Sequence, residues 1–249
     1  MKKSPPTPKK SLWPMRLNKY VAKCGVASRR HAAEIVKKGQ IQVNGEVEKN
    51  PAIEIHRKDE IRFQGKVIKP ESKLVYILLN KPKNVITTSS DEKGRKTVID
   101  LVSHRINERI YPVGRLDRAT TGLLVMTNDG DLAQRLAHPS HNIKKVYHVV
   151  LDRDLTKKDM QAIGDGLILE DGKAEIDIIS YINGKSKNEI GIELHSGKNR
   201  IIRRIFEHLN YKVVRLDRTL YAGLTKKDLP RGRFRRLTTE EIRMLKYFV

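Results

Sequence analysis

Between Arg16 and Lys69 the apolar positions fall first at helical spacing and then at strand spacing. Leu17, Tyr20 and Val21 share one face of a short helix that Gly25 ends. Ser28 is placed to cap a second helix, with Ala32, Ile35 and Val36 on its buried face and Gly39 just past its end. Ile41 and Val43 then alternate into Asn44-Gly45, a two-residue hairpin turn, and Val47 begins the return strand. Ile53, Ile55, Ile61 and Phe63 predict further short strands.

A second pattern starts near Lys73. Leu74–Leu79 reads as a strand, Lys81-Pro82 as the start of a loop, and Leu123–Thr127 as a buried strand ending in the turn Asn128-Asp129-Gly130. Asp131 is expected to open a helix carrying Leu132 and Leu136. Tyr147–Leu151 is a strand, Thr156–Ile163 a helix begun by Thr156 and Asp159, and Ile190–Leu194 another strand. A basic turn leads to a helix over Ile201–Leu209, a strand through Val213 and Val214 follows, and Thr238 with Glu241 starts a last helix. Strands and helices mix here without a regular βαβ rhythm, so the expected fold class is α+β. A small helix–helix–hairpin domain (15–70) precedes a larger domain (73–249) with a mixed, mostly antiparallel sheet flanked by helices. Residues 1–14, with lysines among prolines, read as a flexible basic tail.

Charge changes the picture more than composition does. At 38% hydrophobic the 249 residues can fill a core, but 51 Lys+Arg against 29 Asp+Glu leave a formal net charge of +22. Such a field favours a polyanion, with nucleic acid the first candidate and an anionic membrane surface the second. No apolar run approaches the roughly 20 residues that span a bilayer, and the charged N-terminus has no secretory h-region. The single cysteine, Cys24, excludes an internal disulfide and a cysteine zinc cluster and fits a reducing cytoplasm.

Two places hold candidate chemistry. Arg29 and Arg30 stand in the first turn of a helix, where the macrodipole disfavours cations but free N–H groups can help hold a phosphate; a solvated basic face is the plainer reading. Farther on, Asp117 lies between Arg115 and Arg118 on a loop entering the buried strand. A carboxylate there can serve covalent catalysis at a sugar carbon, or it can be a surface aspartate in a salt-bridged loop. His138 and His141 lack the further ligands of a metal site, Asn128-Asp129-Gly130-Asp131 is too short for a calcium loop, and no Gly-rich phosphate loop is present.

The longer strings resemble known families. Arg16-Leu17-Asn18-Lys19-Tyr20, Gly25, Ser28-Arg29-Arg30 and Val43-Asn44-Gly45 resemble the S4 RNA-binding module, which implies RNA contact through Arg16, Lys19, Ser28, Arg29 and Arg30. Gly114-Arg115-Leu116-Asp117-Arg118-Ala119-Thr120-Thr121-Gly122-Leu123-Leu124 resembles the active-site motif of pseudouridine synthases of the RsuA/RluB type. Lys145-Val146-Tyr147-His148-Val149 and Gly197-Lys198-Asn199-Arg200-Ile201-Ile202-Arg203-Arg204 match that family's second and third motifs. Ile201 stands where the family usually has Gln. The resemblance implies Asp117 as nucleophile, Tyr147 stacked on a flipped uracil, Arg203 paired with Asp117, and Arg200 and Arg204 on RNA. Arg115 is expected to meet RNA by occupying the space that the flipped base vacates. It implies no metal and no small-molecule cofactor. The expected partner is ribosomal RNA or a pre-ribosomal particle, with a lean toward the large subunit, and the enzyme a cytoplasmic monomer. A non-catalytic rRNA-binding protein would have no use for Asp117, Tyr147 and Arg203 together. A glycosidase would want a second carboxylate across the bond.

Overall fold

The computed structural model describes residues 13–247, so residues 1–12 of the expected basic tail lie outside the described residues. Contacts divide the chain into two units, Met1–Leu74 and Val75–Val249.

In the first unit the two helical patterns become Leu17–Lys23 and Arg29–Lys37. The Ser28 hydroxyl caps the second helix by accepting from the His31 N–H at 3.2 Å. Strands Ile41–Val43 and Glu46–Glu48 pair across a turn in which Asn44 (φ 53°) and Gly45 (φ 93°) both adopt the left-handed backbone that a tight hairpin requires. With Ile61–Phe63 and Lys66–Val67 they form a four-stranded antiparallel sheet. Leu17, Val21, Ala32, Val36, Ile41 and Ile61 fill its core.

The second unit is built on a nine-stranded sheet. Its main path runs Ile178–Tyr181, Glu189–Leu194, Lys145–Leu151, Val213–Tyr221, Thr121–Thr127, Tyr76–Lys81 and Phe234–Arg236. Every pair on that path is antiparallel except Val213–Tyr221 with Thr121–Thr127, which is parallel. Thr121–Thr127 and Tyr76–Lys81 are buried almost throughout because separate apolar clusters cover both sheet faces. One cluster includes Ile77, Leu79, Leu124, Val149, Ile192 and Phe206, and the other Leu78, Leu123, Val125, Leu132, Leu136 and Leu245. The mixed, mostly antiparallel sheet flanked by helices is the expected α+β class.

Some local expectations change. The helix Gly130–Ala137 is capped by Asp129, whose carboxylate accepts from the Leu132 N–H, and Asp131 lies within its first turn rather than opening it. The strand begun at Val213 continues to Tyr221. A hairpin of Leu167–Leu169 and Gly172–Ala174 and the strand Phe234–Arg236 add elements that the apolar pattern does not announce.

Candidate active site

The Asp117 loop is fixed through its backbone. The Thr87 hydroxyl donates to the Leu116 carbonyl at 2.7 Å and accepts from the Leu116 N–H at 3.2 Å. The Asn84 N–H holds the Arg118 carbonyl at 2.9 Å, and the Thr120 N–H closes a turn onto the Asp117 carbonyl at 3.0 Å. Lys81, fully buried, extends its ammonium beneath the loop and donates to the carbonyls of Asp117 (3.1 Å), Thr120 (2.8 Å) and Pro82 (3.1 Å). Burial pushes that ammonium down to about 8 despite the attraction of Asp117. With its carbonyls and turn so held, the loop presents the Asp117 side chain in a defined place.

Gly122 explains the next step of the motif. It sits at φ 107° in the parallel pairing, opposite Arg218, and a Cβ there would lie 2.3 Å from the Arg218 carbonyl oxygen. No side chain fits this approach, so the glycine lets the Asp117 strand close on its neighbour.

Asp117 lines an open cleft of about 200 Å³. Arg115, Tyr147, Arg200, Ile201 and Arg218 are among the other residues lining it. Tyr147 is 9% exposed and stands in the strand Lys145–Leu151, opposite Arg218 on one side and Ile192 on the other. A register shift between Val146 and Tyr147 places an extra residue, Thr219, in the facing strand. The shift brings Arg218 and Tyr221 to the same side, with the guanidinium 4.5 Å from the ring centroid.

The remaining expected residues are placed as follows. Arg203 does not line the cleft. Its Nη1 donates to the Val213 carbonyl at 3.0 Å, and among the described residues it forms no ion pair with Asp117. Burial lowers its pKa, as does the charge of Arg200, while the Asp117 field acts in the opposite sense. Arg200, at φ 46°, is the N-cap of the helix Ile201–His208 and donates to Glu207 at 3.3 Å. Arg204 forms two hydrogen bonds with Asp171, at 2.8 and 3.0 Å, and so ties the Leu167–Ala174 hairpin to that helix. Ile201 is buried to 6% in the cleft wall. In the first unit Arg16, Arg29 and Arg30 are exposed, Lys19 is half-buried, and Ser28 is occupied as a cap.

Reading the sequence did not single out Lys81, Arg218 or the buried Asp217 beside it. Asp217 accepts from Thr121 at 2.8 Å, from Arg231 at 2.7 Å and from Lys226, and Arg231 also reaches Asn80 at 2.7 Å. One signal was available: Leu216-Asp217-Arg218 sets opposite charges side by side in a run that Leu216 and Leu220 mark as a strand.

A pinned aspartate loop, a buried tyrosine and cationic walls thus lie together on the mixed sheet. The pattern of the RNA pseudouridylate synthase family matches residues 75–208, and that of the S4 domain residues 15–61. The chain belongs to the RNA pseudouridylate synthase family, with an S4 domain ahead of the catalytic region. It is 39% identical to ribosomal large subunit pseudouridine synthase B of Bacillus subtilis (strain 168), over 93% of this chain and 95% of that protein. It is 32% identical to the dual-specificity RNA pseudouridine synthase RluF of Salmonella typhi, over 91% of this chain and 77% of that protein. A crystal structure of a pseudouridylate synthase superposes with a TM-score of 0.65 at 26% identity, covering 93% of this chain and 99% of that one. No helix among the described residues is long and apolar enough to cross a membrane.

Proposed function

We propose that the protein converts a specific uridine of ribosomal RNA, in the large subunit, to pseudouridine, with Asp117 as nucleophile. The observation that carries this reading is the position of Asp117: on a backbone-pinned loop, in the wall of a cleft that also contains Tyr147. A uridine within a duplex cannot reach such a carboxylate, so the base is extruded from its stack into the cleft. Asp117 either bonds to the ribose C1′ or takes the C2′ proton, and uracil departs. It turns against the Tyr147 ring and rejoins through C5. On the first route C5 displaces Asp117 from C1′, and on the second Asp117 returns its proton to C2′. On both, C5 gives up its proton while N1 takes one. The reaction is an isomerisation with no net redox change, so no small-molecule cofactor is required.

Arg203 acts on Asp117 through its field. Arg115 and Arg200 meet the RNA backbone at the mouth, and Arg204 lies beyond them on the helix Ile201–His208. Residues 15–70, through Arg16, Lys19, Ser28, Arg29 and Arg30, grip neighbouring RNA by shape and charge. Residues 73–249 carry out the chemistry, and the enzyme works as a cytoplasmic monomer on ribosomal RNA or a pre-ribosomal particle. The net charge of +22 and the named large-subunit relative support the choice of RNA.

Asp117→Asn tests the chemistry. The amide keeps the shape and removes the nucleophile, so tritium release from C5-labelled rRNA should fall below detection while RNA affinity stays within about threefold. Appreciable turnover by the variant would remove Asp117 from the mechanism.

A further inference from the structure

Two cations of the cleft have no part in the chemistry described so far. Lys145 stands two residues before Tyr147 on the same strand and therefore on the same face. Its Nζ donates to the His195 carbonyl at 2.6 Å and to the Ser196 carbonyl at 3.4 Å. Arg218, on the next strand, is 3% exposed; its Nε donates to the Leu123 carbonyl at 2.8 Å and its buried Nη2 has no hydrogen-bond partner. Among the described residues neither forms an ion pair. Asp177, the carboxylate whose charge reaches Lys145, is engaged with His195 at 2.6 Å. Burial and the neighbouring Arg218 push the Lys145 ammonium down to about 8.

Two adjacent, partly dehydrated cations without a carboxylate are costly to keep. A site that must receive negative charge needs that arrangement, because fixed cations in a low-dielectric wall act without reorganising. An ammonium has three protons to donate. At most two serve the His195 and Ser196 carbonyls, which leaves one for a ligand.

We propose that Lys145, with Arg218 beside it, is a catalytic group that holds the negative charge of uracil while the base is detached from the ribose. The proposal rests on the reading of Asp117 given above. By either route the C1′–N1 bond breaks with its electron pair going to the base, so uracil becomes an anion with charge shared among N1, O2 and O4. Lys145 and Arg218 hold that anion in the cleft while it turns. When C5 bonds to C1′ it displaces Asp117, or Asp117 returns its proton to C2′; the C5 proton leaves, N1 regains a proton and the base is neutral again. No oxidant, reductant or further reactant enters.

Lys145→Gln retains a donor for the His195 carbonyl and removes the charge, whereas Lys145→Arg keeps the charge. Each is compared with the unaltered chain in single-turnover rapid-quench assays on an rRNA fragment. The fragment carries either uridine or 5-fluorouridine at the target, and nucleoside analysis reads its consumption. Fluorine withdraws electrons and stabilises the detached base, so the fluorinated substrate depends less on the cation. Lys145→Gln should slow the uridine reaction about a hundredfold and the 5-fluorouridine reaction about tenfold or less, with RNA affinity within about threefold. Lys145→Arg should recover at least about tenfold of the loss. Equal deficits on both substrates, or no recovery by arginine, overturn the proposal. So does weakened affinity with an unchanged rate in the bound complex, which makes Lys145 a phosphate contact. If Lys145→Gln does not fold, the arginine variant decides on the same two substrates: a rate near the unaltered chain's supports the charge, and a large equal loss on both overturns it. An active Asp117→Asn sinks the underlying reading, whereas a fully active Lys145→Gln beside an inactive Asp117→Asn sinks this proposal alone.

Discussion

Asp217 shows what a single side chain can contribute behind the cleft. Burial opposes its charge, but hydrogen bonds from Arg231, Lys226 and Thr121 outweigh that and hold the carboxyl at about 2, below its ordinary 3.8. A folded value below the unfolded one means that the stability it gives is whole above about pH 3.8 and is lost as pH falls toward 2. The difference corresponds to about 2 kcal/mol. Asp217→Asn should therefore be less stable at neutral pH by roughly that amount and should lack this component of acid destabilisation. Urea melts at several pH values between 2 and 6 would show it, and parallel pH profiles for the two proteins would refute it. Lys81 was not legible in the sequence, and Asp217 and Arg218 only through their adjacency in an apolar strand, for one shared reason. Charged residues are rarely buried, so a letter alone gives no sign that Lys81 points inward to bind carbonyls. Asp117 and Tyr147 stood out because their neighbours form long strings resembling a family, not because a lone Asp or Tyr is informative.

Among elements, legibility follows burial. Thr121–Thr127 and Tyr76–Lys81 are covered on both faces, and their apolar stretches predict strands over Leu123–Thr127 and Leu74–Leu79. The second strand in fact runs on through Asn80 and Lys81, where a loop was expected. Leu167–Leu169 and Gly172–Ala174 are short, and Ile168 is 70% exposed, so no periodic pattern marks them. That hairpin is fastened by polar contacts: Asp171 takes both Arg204 hydrogen bonds, and Lys198 donates to the carbonyls of Asp171 and Lys173. Because the Arg204 pair is partly exposed, its loss should cost little overall stability. Asp171→Ala should speed amide hydrogen exchange across residues 167–174 several-fold while leaving the melting temperature within a few degrees. Unchanged exchange there would show that the hairpin is held by its apolar contacts instead. The bulge at Thr219 was equally silent, since an extra residue in a strand leaves no mark on hydrophobic spacing.

For the whole molecule, the proposed function divides the excess of cations between gripping RNA and acting on it. If Arg29 and Arg30 each meet one phosphate, their joint replacement by alanine should reduce the slope of log affinity against log salt by about 1.5. The single-turnover rate at saturating enzyme should stay within about twofold. Filter binding across a salt series would read the first, and an unchanged slope would mean that these arginines do not touch the substrate RNA. The central claim, that Asp117 makes pseudouridine in large-subunit rRNA, is tested most directly in cells. Pseudouridines would be mapped across the rRNA of cells lacking this gene and of the same cells supplied with the unaltered or the Asp117→Asn protein. The account predicts that a large-subunit pseudouridine disappears without the gene, returns with the unaltered protein and does not return with Asp117→Asn. An unchanged map in the deleted cells, or full restoration by Asp117→Asn, would contradict it.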